Sequence, residues 1–69
     1  MNKDELYKSV RDRMNTVIFL DGMTAQDFAK NSKVEYQTIN IIKNDLMLQH
    51  KARLKTIMKI DAYLNTLGK

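Results

Sequence analysis

One stretch in the middle of the chain decides its fold: Thr24-Ala25-Gln26-Asp27-Phe28-Ala29-Lys30-Asn31-Ser32-Lys33-Val34-Glu35-Tyr36-Gln37-Thr38-Ile39-Asn40. Thr24 offers a side-chain oxygen that can cap a helix, and Asp27 three residues later makes an approximate capping box. Residues 31–33 are too polar for a core and too short for a linker, which predicts a tight turn. Another helix follows, because Ile39 and Ile42 recur at helical spacing. The stretch therefore predicts two short helices around a tight turn.

Helical spacing continues upstream of this stretch. Leu6, Val10 and Met14 recur every four residues and predict an amphipathic first helix that ends near Gly22. Residues 16–20 are rich in β-branched and aromatic side chains, so they are also compatible with a short strand. We expect them to be helical.

Downstream, Leu46 extends the spacing of Ile39 and Ile42, and residues 47–50 form a connection before a last helix. Together the segments predict an all-α fold, a compact bundle of four to five helices that contains a helix-turn-helix. The inward positions of the helical periods predict the core residues Leu6, Val10, Met14, Phe28, Ala29, Val34, Ile39, Ile42, Leu54, Ile57, Ile60 and Leu64.

Length and composition limit what such a bundle can do. The chain has 69 residues, no Cys and one His, so we expect a single domain spanning residues 1–69 with no metal site and no cofactor. A deep cleft and a paired nucleophile and base are both lacking, which argues against an enzyme and a small-molecule substrate. No apolar run is long enough for a bilayer and no signal peptide is evident, so a cytoplasmic protein without a membrane partner is expected.

The charge is unevenly distributed along the chain. The net charge is +4 and the isoelectric point is about 9.5. Five basic and five acidic residues balance in residues 1–31, so the whole excess comes from residues 32–69, where seven basic residues meet three acidic ones. A basic second half predicts a polyanionic partner.

The central stretch resembles the helix-turn-helix of the Cro- and CI-type (XRE-like) phage regulators, whose fold is lambda-repressor-like. In that family a small Ala of the first motif helix touches the second, a small apolar residue follows the turn, and Ile or Val anchors the second helix. Ala29, Val34 and Ile39 fall in this register, and residues 57–64 resemble the closing helix of the family.

The resemblance implies a transcriptional regulator of a phage or mobile-element genetic switch. The helix from Tyr36 to Asn44 would enter the major groove of double-stranded operator DNA, and a homodimer would bind a two-fold operator. Amides of Gln and Asn suit adenine, and Lys and Arg suit phosphates. The implied DNA-binding residues are Thr24, Gln26, Lys33, Tyr36, Gln37, Asn40, Lys43, Lys51 and Arg53.

Three residues depart from the family pattern, and two of them, Glu35 and Ile41, favour an alternative. Lys33 stands where the family usually has Gly, Glu35 places a carboxylate where a phosphate would lie, and Ile41 puts an apolar side chain on the face that would read bases. The alternative is an antirepressor, or modulator of repression, that binds a partner repressor protein and blocks its DNA binding. Its protein-binding residues would be Glu35, Tyr36, Gln37, Asn40 and Ile41.

Overall fold

A computed structural model describes residues 2–69 and shows an all-α bundle. Within these residues there are four α-helices and no strand, which confirms the predicted fold class. None of the helices described is both long and apolar enough to cross a bilayer. The helices are α1 (Lys3–Asn15), α2 (Ala25–Ser32), α3 (Tyr36–Lys43) and α4 (Leu54–Thr66), and a π-helical turn (Thr16–Leu20) extends α1.

The first helix begins with a side-chain cap and ends in the wider π turn. The Oδ1 atom of Asn2 accepts a hydrogen bond from the Glu5 backbone N–H at 2.8 Å, which satisfies a free donor of the first turn. At the other end the Asp21 N–H donates to the Thr16 carbonyl at 3.1 Å. Gly22 follows with a φ of 82°, a left-handed conformation that suits glycine after a helix. The helical prediction for residues 16–20 is confirmed.

The pair α2 and α3 is joined by a turn two residues later than predicted. Thr24 caps α2 as expected, since its Oγ1 accepts from the Asp27 N–H at 3.0 Å. The prediction of a turn at residues 31–33 is wrong for Asn31 and Ser32, because α2 runs to Ser32, whose buried hydroxyl donates to the Ala29 carbonyl at 3.3 Å. Lys33 then reverses the chain with a φ of 61°.

The two longest helices, α1 and α4, lie side by side, and their carboxyl-terminal ends are at the same end of the bundle. Arg13 of α1 pairs with Asp61 of α4, and Lys69 pairs with Asp21 at 2.9 Å between Nζ and Oδ2. Phe28 of α2 closes the core with an edge-to-face contact to Tyr63, whose ring centroid lies 5.1 Å away. One core results, made of Tyr7, Val10, Met14, Val17, Phe28, Ala29, Val34, Ile39, Ile42, Ala52, Ile57, Ile60 and Leu64.

One core prediction is wrong, and one holds only in part. Leu54 is 48% exposed because it is the first residue of α4, and the inward face of that helix starts one turn later at Ile57. Leu46 does not extend α3, which ends at Lys43, and it is exposed. Leu6 is partly buried, while its neighbour Tyr7 enters the core because its hydroxyl has a hydrogen-bond partner inside the fold.

A matched pair of leucines in α4 tests this register. We expect Leu64→Ala to lower the free energy of unfolding by about 2 to 5 kcal/mol, since it leaves a cavity among buried side chains. Leu54→Ala should cost less than about 1 kcal/mol because that side chain already contacts water. Urea denaturation followed by circular dichroism measures both, and equal losses would contradict the register.

Candidate nucleic-acid interface

Four basic side chains line one open groove between the turn before α3 and the start of α4. We call it the basic groove and define it by Lys33, Lys51, Arg53 and Lys59; its volume is about 550 Å³. Three of these four residues, Lys33, Lys51 and Arg53, were predicted to bind DNA. The fold brings them together although Lys33 is far from the other two in the sequence. The groove is completed by Val34, Glu35, Thr38, His50, Ala52 and Thr56.

The bases of this groove have no acidic partner among residues 2–69, unlike three of the bases of α1. Lys8 and Arg11 pair with Asp12, and Arg13 pairs with Asp61. No ion pair within the described chain involves a side chain that defines the basic groove. The groove therefore keeps its positive charge available for an anionic partner.

One face of α3 carries three amide side chains. Gln37, Asn40 and Asn44 follow one another at helical spacing, opposite the buried Ile39 and Ile42. Gln37 is exposed and Asn40 is partly exposed. The Nδ2 atom of Asn44 donates to Oδ1 of Asn40 at 3.5 Å. This face presents both donors and acceptors to a partner.

Ile41 and Tyr36 add apolar surface to α3. Ile41 is 51% exposed and lies beside Gln37 on the outward face. Tyr36 is 45% exposed and begins the helix. The predicted outward orientation of Ile41 is confirmed, so the exposed surface of α3 carries both polar and apolar side chains.

Lys43 lies apart from the basic groove. Its Nζ atom is 5.8 Å from the centroid of the Phe19 ring, on the π turn. Thr38, which lines the basic groove, is about 140° away from Lys43 around the α3 axis. The two flanks of α3 therefore differ: one faces the basic groove, and the other carries a single lysine over an exposed aromatic ring.

The remaining predicted contacts lie at the start of α2. Thr24 and Gln26 are exposed, and neither lines the basic groove. The Thr24 oxygen accepts the capping hydrogen bond, while its hydroxyl proton remains available to an acceptor such as a phosphate oxygen.

Glu35 is the acidic residue of the basic groove. It precedes the first residue of α3, and its side chain makes no capping hydrogen bond. The helix dipole favours a carboxylate at this end, but the same charge repels a phosphate that approaches the groove. Glu35 therefore lowers the net positive charge of the groove without cancelling it.

Asp45 organises the connection between α3 and α4, and we call its set of hydrogen bonds the Asp45 clamp. Its Oδ2 atom accepts from the Tyr7 hydroxyl at 2.6 Å and from the His50 N–H at 2.8 Å, and its Oδ1 accepts from the Gln49 N–H at 2.9 Å. The Tyr7 hydrogen bond, followed by that of His50, lowers the pKa of Asp45. The clamp fixes the segment from which Lys51 and Arg53 reach the groove.

Sequence reasoning missed two parts of this site. Lys59 lines the groove together with Arg53 and Thr56, and their spacing of three residues along α4 is a signal that places them on one face. Asp45 was not among the predicted site residues. No local signal reveals its role, since Tyr7 is 38 residues away along the chain.

Comparison with known proteins finds no matching family, no matching curated sequence and no matching solved structure. Across residues 2–69, no group of three or more His, Asp or Glu side chains is placed to hold a metal ion.

The Asp45 clamp predicts a defined pH dependence of stability. The pKa of Asp45 is lower in the folded protein than in the unfolded chain. The Asp45 carboxylate therefore stabilises the fold fully above the unfolded-state pKa of about 3.9, and this stabilisation is lost as the pH falls through the folded-state pKa. Asp45→Asn should therefore lower the melting temperature at pH 7, and its difference from the parent should shrink as the pH falls below about 4.

Two tyrosine variants provide the control for this measurement. Tyr7→Phe removes one hydrogen bond of the clamp and should lower the melting temperature, whereas Tyr36→Phe changes an exposed hydroxyl and should not. A difference between parent and Asp45→Asn that stays constant from pH 7 to pH 3 would contradict the role of the Asp45 charge.

Proposed function

We propose that this protein is a small DNA-binding regulator of transcription that inserts α3 into the major groove of operator DNA. The observation that carries the proposal is the basic groove: four bases without acidic partners in the described chain lie on the flank of α3 that carries Thr38, and the amide face begins at Gln37, the residue before Thr38. The resemblance of residues 24–40 to phage regulators supports the same function, in a cytoplasmic genetic switch of a phage or mobile element.

The two surfaces correspond to the two kinds of contact that DNA recognition requires. Phosphate contacts supply most of the affinity and position the protein, and contacts to base edges supply specificity. In the proposed complex a DNA strand follows the basic groove, where Lys51 and Arg53 neutralise phosphates. Gln37 and Asn40 then face the bases, and their amides can bind adenine through two hydrogen bonds.

Binding by one such domain would be weak. A single recognition helix of this size contacts a small area of DNA, and specific regulators reach useful affinity by pairing two domains on a two-fold site. We therefore propose that two copies bind one operator, each through its own α3.

Variants of the groove and of the amide face test the proposal separately. Duplexes enriched from a randomised DNA library supply the specific site, and fluorescence anisotropy measures affinity at several salt concentrations. Lys51→Ala and Arg53→Ala should each weaken binding to enriched and random duplexes alike, and each should reduce the salt slope by about 0.9. Gln37→Ala should weaken binding to the enriched duplex mainly, corresponding to about 1 to 3 kcal/mol of discrimination.

Lys8→Ala is the matched control, because Lys8 is exposed but pairs with Asp12 on α1, outside the groove. Its affinity and salt slope should equal those of the parent. Failure of the library to enrich any sequence, or an equal effect of Lys8→Ala and Lys51→Ala, would contradict the proposed function.

The exposed Ile41 favours a second function on the same helix. An antirepressor would use Ile41 and Tyr36 as apolar anchors in the DNA-binding site of a repressor. Glu35 would occupy the place of a phosphate opposite the basic residues of that repressor, and its side chain is free of a capping bond. In this second candidate function α3 contacts a repressor protein, whereas in the first it contacts DNA.

Two substitutions separate the candidates. If α3 binds DNA, Glu35→Gln should tighten binding to duplex DNA modestly by removing a repulsive charge, and Ile41→Ala should have little effect. If α3 binds a repressor, Ile41→Ala and Glu35→Lys should abolish the complex with a co-encoded repressor while the circular dichroism spectrum stays unchanged. Retention of the repressor complex by both variants would exclude the antirepressor.

A further inference from the structure

His50 gives the basic groove a side chain whose charge can change near neutral pH. It is the single histidine of a chain that has no Cys. Histidine is the side chain that ordinarily gains or loses its charge between about pH 5 and pH 8. His50 lines the basic groove and is partly buried. Its protonation therefore adds a positive charge beside Lys33, Lys51, Arg53 and Lys59.

The Asp45 clamp holds His50 at the groove. The His50 N–H donates to Oδ2 of Asp45 at 2.8 Å, and the Tyr7 hydroxyl donates to the same oxygen at 2.6 Å. The imidazole ring lies with its centroid 6.4 Å from that of the Tyr7 ring, which is buried. With its backbone tied down and its ring beside the core, His50 loses little conformational entropy when it contacts a ligand in the groove.

Charged side chains face His50 from two sides. On one side are the four bases of the groove and Glu35. On the other side His50 lines a second cavity, of about 360 Å³, between the start of α1 and the connection before α4. The titratable residues that line this cavity with it are Lys3, Asp4, Glu5, Tyr7, Lys8 and Lys51. In the free protein Glu35 and Asp45 favour a charged ring and the bases oppose it. Phosphates in the groove offset the bases, so bound DNA favours the charged ring.

We propose that His50 is a further phosphate-binding residue of the basic groove, and that it binds in its protonated form. The imidazolium carries a full charge and donates from both ring nitrogens, whereas the neutral ring has one donor. Hydrogen bonds from a charged donor to phosphate are about twice as strong as neutral ones. The affinity for DNA therefore rises as the pH falls, and His50 takes up a proton from solvent on binding. This inference rests on the proposed function, because it needs DNA in the groove.

Fluorescence anisotropy with a random-sequence duplex tests the inference at about pH 5.5 and about pH 8 and at several salt concentrations. The parent should bind about three- to tenfold more tightly at the lower pH in about 0.1 M salt. Its salt slope should steepen by about 0.9, which corresponds to one more phosphate neutralised. His50→Gln should keep the Kd and slope that the parent shows at the higher pH. His50→Lys should bind tightly at both pH values, because an ammonium group stays charged throughout this range.

The matched control moves the histidine out of the groove. His50→Gln combined with Asn65→His places it at an exposed position in the last turn of α4, which does not line the groove. This double variant should behave as His50→Gln does. Circular dichroism at both pH values confirms that each variant is folded, which is expected because the hydrogen bond to Asp45 comes from the His50 backbone.

The outcomes distinguish this inference from the proposed function. A parent that binds DNA with the same Kd and salt slope at both pH values would overturn the inference and leave the proposed function standing. A pH dependence that persists in His50→Gln, or that returns in the double variant, would also overturn it. A parent that binds no DNA at either pH would contradict the proposed function, and this inference with it.

Discussion

The carboxylate of Asp45 holds the connection between α3 and α4 in place beside the basic groove. The connection between α3 and α4 has no regular helix, yet it carries His50, Lys51 and Arg53 to one groove. Such a segment is ordinarily mobile, because its backbone groups lack a repeating set of hydrogen bonds. Asp45 supplies the missing order by accepting three hydrogen bonds, one of which reaches the Tyr7 hydroxyl in the core.

The Asp45 clamp also leaves the positive charge of the basic groove unpaired. The acidic residues Asp12, Asp21 and Asp61 are paired with bases on α1 or near the end of the chain. Asp45 is engaged by hydrogen-bond donors rather than by a base, so it fixes the connection without neutralising the basic groove. The electrostatic consequence is a positive surface beside α3 and a nearly balanced surface on α1.

Periodicity predicted the helices well and their ends poorly. The spacing of Val10, Met14 and Leu64 reports which side of a helix meets the core, and these residues are buried. Leu46 and Leu54 fit the same spacing, but α3 ends before Leu46 and α4 begins at Leu54. The local sequence does not reveal either boundary.

The Tyr7–Asp45 hydrogen bond depends on tertiary structure alone. Lys33, Lys51 and Arg53 were predicted individually; their convergence with Lys59 required the fold.

We propose that α3 and the basic groove form one surface for DNA. Backbone amide chemical shifts, recorded while a short duplex enriched from a random library is added, test this proposal. We expect shifts in α3, in the turn at Lys33 and in residues 50–59, with none along the outer face of α1 around Lys8. Shifts that cluster on α1, or no shifts at all at saturating DNA, would contradict it.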